Sequence, residues 1–508
     1  MTTNGYVSVN VIDNGGAAIV VPSQSLQLVI ACSSAGTVGQ ITATKSPITL
    51  GSTFGWGPLP ESSGLAALGG ATILAIRATS ATAGAATSVT HTGTGTSTVT
   101  LSGTPYDTYY VQVNVVFGGT IGTGPITLAI SLDAGRTFSP NISLGTANIY
   151  AIPGTNITLN FAAGTTITGD TYAFSTTEPL WNTAGILAAL TAFAQSPYGQ
   201  IGVGSIHIAG GSTVGGTPGA DATTIGGYLE GSVVGATATL PFFNDAIVNA
   251  RDAHPPTAWG GTGETEATWM TAIESDYSAV SQKRITCCAG FFNMPSALVN
   301  PLGFIPRFRR PLSYAIAQRA TQIQAQRSWG RVKDGPLAPI VVSPTTDPND
   351  GFIYHNDANF APAGLGDFRF TTSTLRSGSN AIYARSAATM ALTGSQYSQR
   401  PYMAVANVAS EIIQQTGQQV VNDNVRLLPS GAIDPRDAQK IQASILGAIN
   451  ANMTSAQMIT SATCVVDQTN NVQSTGQVNV TATLVARGLV LTVNATLQYS
   501  NPNQAQAA

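Results

Sequence analysis

"GLVLTVNATLQYSNPNQAQAA" closes the chain at residues 488–508, and its first half alternates. Leu491, Val493, Ala495, Leu497 and Tyr499 take turns with Thr492, Asn494, Thr496 and Gln498. A period of two marks a strand with one buried face. The tail behind it carries no charge, and charge is a common means of blunting an open sheet edge. A strand left in that state is a template for pairing with another chain. The opposite end repeats the pattern: Val7, Val9 and Val11 alternate with Ser8 and Asn10 before Gly15 and Gly16 break the run. The chain therefore reads as a body with strand-forming arms at its ends, residues 1–20 and 488–508.

Composition points the same way. With 508 residues there is room for about two to four domains. Charged residues make up 9% of the chain, against roughly 25% in ordinary soluble domains. Gly, Ala, Ser and Thr fill the gap, so the surface is expected to be neutral and rich in hydroxyls. Such a surface loses few charges to desolvation when copies meet, which favours assembly. The net charge of −3 gives no general reason to expect a nucleic-acid partner. No apolar run reaches the length of about 18 residues needed to span a membrane. The first basic residue is Lys45, so no secretory signal is recognisable and folding in a cytoplasm is expected. Cys32, Cys287, Cys288 and Cys464 lack paired metal spacing and read as core thiols.

Along the chain, apolar runs at 28–32 and 73–76 read as buried strands, with a short helix in "ESSGLAALGG" between them. From 84 to 177 short alternating strands recur with Gly or Asn turns, the texture of an all-β sandwich. Helices return at 186–194, in "ETEATWMTAIESDYSAVSQK" and over 312–328, with strands in "SIHIAGG" and "RITCCAGFF". Residues 334–378 read as long loops. Near the end Asp434 can cap a helix with Pro435 at its first position. Ala438, Ile441, Ile445 and Ile449 then form one apolar face, and strands are expected at 459–466, 477–486 and 489–499. The fold class is thus α+β and multidomain. A mixed α/β middle domain (21–83 and 178–400) carries an inserted β sandwich (84–177), followed by a C-terminal helix-plus-sheet domain (401–487) and the arm.

No catalytic constellation stands out. The histidines His91, His207, His254 and His355 are far apart in sequence and in no ligand motif. His207 could act as a base at a strand end, but a structural histidine is the simpler reading. No serine lies in a GxSxG elbow. None of Lys45, Lys283, Lys333 and Lys440 follows a phosphate-cradling GxxxxG loop. "SLDAGRTF" at 131–138 matches the Asp-box pattern of β proteins, a hairpin turn in which Asp133 bonds local backbone. No catalytic residue, cofactor or metal is therefore expected. One charge cluster remains: Arg307, Arg309, Arg310, Arg319, Arg327, Arg331 and Lys333 occur with no acid until Asp334. It is either a surface for an acidic partner or a set of internal pairs with the acids of 264–276 or 347–367.

Taken in order, several stretches resemble a known family. They are the N-terminal arm leading into "VVPSQSLQLVIACSSAG" and "ITATKSPITLGSTFGWG", then "GGATILAIRAT", "RPLSYAIAQRATQIQAQRSWGRVKDGPL", and the closing "DPRDAQKIQASILGAINANM" with its strands. This succession resembles contractile tail sheath proteins of myophages and the related sheaths of phage-tail-like bacteriocins. The 84–177 insertion departs from the smallest sheaths, although family members carry extra outward domains there.

The resemblance implies a homo-oligomer of hexameric rings stacked helically around a tail tube, in company with baseplate and tail terminator proteins. It implies residence in a virion assembled in the bacterial host cytoplasm, with no membrane and no nucleic acid bound directly. Contraction would be a rearrangement of subunits to a lower-energy lattice, driving the tube through the host envelope for genome ejection without nucleotide. It further implies that Val7, Val9 and Val11, and Leu491, Val493, Ala495 and Leu497, are donated as strands to neighbouring subunits. The 435–452 helix, through Arg436 and Lys440, becomes the expected tube contact. Competing readings are another self-assembling structural protein (a secretion-system sheath, a tube or a surface-layer subunit) and a carbohydrate-active enzyme using the β insertion.

Overall fold

The computed structural model describes residues 26–200, 203–212, 218–234, 245–250, 265–341, 354–360, 363–376 and 378–489. Its centre is a six-stranded sheet. The strand order is Ile285–Cys288, Ala246–Asn249, Ser205–Ile208, Leu26–Ala31, Thr72–Arg77, Ile41–Thr44. All neighbours pair in parallel except the last, which is antiparallel. Leu28, Val29 and Ile30 are fully buried, as expected of a continuous apolar run in a sheet covered on both faces.

Alternation along the strands divides the core in two. Leu28, Ile30, Leu74 and Ile76 face the helices Thr183–Ala194, Pro218–Val234 and Glu266–Tyr277. Val29, Ala31, Ile73 and Ala75 face Pro58–Leu68 and Leu312–Gln322. Local chemistry starts these helices where they are needed. The Asn182 side chain accepts the Gly185 N–H at 2.9 Å, and the Thr265 hydroxyl accepts that of Thr268. The strand Ala246–Asn249 and the helix Pro218–Val234 were not anticipated from sequence. The helix expected over 312–328 stops at Gln322, because Ile323 adopts an extended backbone with φ −120° and ψ 158°.

The β-rich insertion leaves and rejoins this body through a neck in which Ser80–Thr82 pairs with Leu180–Trp181. It is a sandwich of a five-stranded and a three-stranded sheet. Val111, Val113, Leu128 and Ile130 from one sheet meet Ile157, Leu159 and Phe161 from the other. The 131–138 motif forms the expected tight turn, with Ala134 at φ 60° and Gly135 at φ 79°. Asp133 accepts the Ser131 hydroxyl at 2.8 Å and the Thr137 N–H at 2.9 Å. It also reaches outside the turn to accept the Arg307 N–H at 2.8 Å.

That contact belongs to a clamp. The hairpin Phe291–Pro295 and Arg307–Pro311 lies against the insertion. Phe308 enters the sandwich core, and Arg309 covers the Tyr110 ring with its guanidinium carbon 4.6 Å from the centroid. Arg310 grips Asp107 with two bonds of 3.0 and 2.7 Å, both side chains being buried.

The basic cluster is therefore largely internal, and among the described residues its ion pairs are made with Asp107 and Asp334, which lie outside the segments expected from sequence. Arg310 takes Asp107, while Arg327 and Arg331 share Asp334. Arg319 donates to the carbonyls of Asp334, Gly335 and Pro336. Three acids of the expected segments are engaged elsewhere: Glu266 and Asp357 hold His355, and Asp357 and Asp367 hold Arg385. Sequence distance misleads here because the hairpin carries its arginines onto the inserted unit.

Replacing Arg310 with Leu strands the Asp107 carboxylate in the interior, and a loss of about 3–5 kcal/mol is expected. Adding Asp107→Leu should restore most of it. A double-mutant cycle in urea measures this coupling, and a single-variant loss under about 1 kcal/mol, the range of exposed pairs, would show the clamp to be dispensable.

Candidate assembly surface

The C-terminal unit begins with the helix Arg400–Gln418, which is fastened to the body by buried polar contacts. Arg400 Nε donates to Asp245 at 2.9 Å, its Nη2 donates to the Gly204 carbonyl at 2.6 Å, and its guanidinium lies 5.3 Å from the Trp329 ring centroid. About two turns further on, Asn407 bridges Asp245 at 3.2 Å and Arg284 at 2.7 Å.

The second helix, Pro435–Ile449, forms as the sequence requires. The Asp434 carboxylate accepts the Arg436 N–H at 2.8 Å, and Pro435 occupies the first turn, where its missing N–H costs nothing. Its buried residues are Ala438, Ile441, Ile445 and Ile449, spaced by three or four so that they fall on one stripe. They pack with Val405, Val408 and Ile412 of the first helix.

On this helical layer lies a ribbon of two antiparallel strands, Ile459–Val466 and Val480–Ala486, in register from Val466 opposite Val480 to Ser461 opposite Val485, with a bulge before Ile459 meets Ala486. Ile459, Cys464 and Val466 are buried on the helices, with Ala462, Val480, Ala482 and Leu484 packed beside them. Thr463, Thr481 and Thr483 are exposed, as are Val465 at 60% and Val485 at 51%. Among the described residues no third strand pairs with either edge. A bare two-stranded ribbon is marginal in water, and a third strand or a helical support is what stabilises it. Here one face has that support, and among the described residues the edges remain open. Beyond the ribbon, the Leu489 N–H donates to the Tyr402 hydroxyl at 3.2 Å, which brings the chain back to the first helix.

Of the residues expected to assemble, Val7, Val9, Val11, Leu491, Val493, Ala495 and Leu497 lie outside the described residues. Arg436 and Lys440, four positions apart, are both exposed on the second helix, away from its buried stripe. The third strand expected at 489–499 likewise falls beyond the described residues, apart from Leu489.

The other reactive side chains have structural surroundings. His207 is fully buried between the Ser62 and Ser313 hydroxyls, each 3.0 Å from a ring nitrogen, and burial pushes its pKa down to about 3. It is therefore a neutral core imidazole and not an accessible base. His91 stacks on Tyr172 with centroids 4.5 Å apart, and His254 lies outside the described residues. All four thiols are buried. Burial raises Cys32 to about 12 and lifts Cys287 and Cys288 further from reactivity. Among the described residues no three His, Cys, Asp or Glu are grouped to hold a metal ion, and no helix is long and apolar enough to cross a membrane.

Neither a family model nor a curated protein matches the chain. Among solved structures it is similar to a sheath tail protein from Desulfitobacterium hafniense, with TM-score 0.44 and 10% identity over 94% of this chain and 100% of that one. It is also similar to a sheath tail protein from Listeria innocua, with TM-score 0.44 and 11% identity over 91% of this chain and 95% of that one. A third similar structure is the PVC sheath complex of an extracellular contractile injection system in its contracted state, with TM-score 0.39 and 11% identity over 60% of this chain and 72% of the other. The solved structures to which this chain is similar thus include sheath proteins of tails and injection systems.

Proposed function

We propose that the chain is a structural subunit of a contractile tail sheath. It polymerises as stacked hexameric rings around an inner tail tube and contracts by rearrangement of its subunits, driving the tube through a host envelope. The observation that carries this reading is the C-terminal ribbon: its inner face is seated on two helices and its edges are open among the described residues. The sequence supplies strand-patterned segments at 7–11 and 491–497 suited to those edges, in the order of elements that resembles the sheath family.

The energetics are favourable. Strand addition forms several main-chain hydrogen bonds, each contributing about 1 kcal/mol net, and covers apolar side chains such as Val465 and Val485. Main-chain pairing of this kind depends little on side-chain packing between bodies, so subunits can turn relative to one another while remaining linked. The neutral surface suits repeated contact between identical copies. Arg436 and Lys440 form the surface presented to the tube, and baseplate and terminator proteins cap the stack. The particle is a phage tail, assembled in the host cytoplasm and carried in the virion.

Negative-stain microscopy of the purified protein is expected to show hollow cylinders of stacked rings, whereas flat lattices or discrete particles would favour a surface-layer or unassembled protein. Deleting residues 1–14, or 489–508, should leave a soluble body that sediments as small species and forms no cylinders. Normal cylinders from either truncation would remove strand donation from the account. Charge reversal by Arg436→Glu with Lys440→Glu should leave ring stacking intact while reducing co-assembly with tube protein at least tenfold. Unchanged recovery of tube in a pelleting assay would place the tube contact elsewhere.

A further inference from the structure

His355 occupies a site unlike that of His207. Its Nδ1 lies 2.8 Å from Glu266 Oε1 and its Nε2 lies 3.2 Å from Asp357 Oδ1. Both partners are carboxylates, which only accept when ionised, and a neutral imidazole has a single N–H to give. Only the imidazolium can satisfy both contacts.

The surroundings fix this geometry. Trp269 and Phe360 wall the ring, with centroids 5.4 and 5.7 Å away, and the Ser373 hydroxyl donates to the His355 carbonyl at 2.6 Å. Asp357 is fully buried. It also accepts from Arg385 and from the Gly366 N–H at 3.2 Å, and Arg385 reaches on to Asp367 at 2.7 Å. The charged groups facing the ring, directly or through Asp357, are thus Glu266, Asp357, Arg385 and Asp367. With the imidazolium, two cations meet three carboxylates; without it, one does.

Glu266 opens the helix Glu266–Tyr277, whose Trp269, Met270, Ile273 and Tyr277 cover one face of the central sheet. His355 and Asp357 belong to the separate stretch 354–360. We propose that protonated His355 is a latch holding this helix to that stretch, and that alkaline pH releases it.

The partners raise the pKa of His355 above its ordinary value against the opposing effect of burial. The sign follows. The stabilisation is complete below the open-state value of about 6.5 and is lost as pH rises through the higher closed-state value. Asp357 is held below its usual range by His355 and Arg385 against the same burial, so its share is lost only when acid protonates it in the closed state. The latch is shut between those limits.

Hydrogen exchange on the full chain, normalised to intrinsic rates at each pH, tests this. From about pH 6.5 the opening constant of 266–277 and 354–360 should rise up to tenfold per pH unit until the closed-state midpoint, while 285–288 stays protected. In His355→Gln the dependence should vanish. Flat protection in the native chain between pH 6 and 9, or an equal loss in the variant, would overturn the proposal. Should the variant fail to fold, the imidazole resonance of His355 in the histidine-labelled native chain decides: a midpoint above 6.5 upholds the latch and one below refutes it.

Discussion

Main-chain pairing of the strand Leu26–Ala31 organises the body. It is bonded to Thr72–Arg77 on one side and to Ser205–Ile208 on the other, so segments separated by well over a hundred residues are locked into one parallel register. Each neighbour then places a helix on one face or the other, and the long insertion hangs from the end of Thr72–Arg77 through a paired neck. In the body this pairing is internal. At the C-terminal ribbon the same chemistry stops at two strands among the described residues.

Several buried charges serve as connectors. Arg310 with Asp107 joins the insertion to the body, Arg400 with Asp245 joins the C-terminal unit to it, and Arg284 reaches both Glu230 and Asn407. Buried ion pairs contribute little net stability because desolvation offsets their attraction, yet a mismatched partner is costly. They therefore fix which surfaces meet more than how tightly they hold.

A helix tied to the body at one end and to the ribbon's support along its length has mechanical consequences. Arg400 and Asn407 anchor the start of Arg400–Gln418, whereas Val405, Val408 and Ile412 belong to the C-terminal core. Load on the ribbon would reach the central sheet through this element, since Asp245 leads directly into the strand Ala246–Asn249.

Where capping and periodicity were clear, local signals specified local structure. The Asp-Pro start and the spacing of Ala438, Ile441, Ile445 and Ile449 fixed a helix and its buried face, because capping and the 3.6-residue period act within a few residues. The run Leu28 to Ile30 identified a strand covered on both sides, and Ser131 to Phe138 a turn. What sequence left undetermined was partnership. Asp107 for Arg310, Asp245 for Arg400 and Glu266 for His355 come from elements that meet only after the sheet order is set. No periodicity encodes such meetings, so the tertiary structure alone decided them.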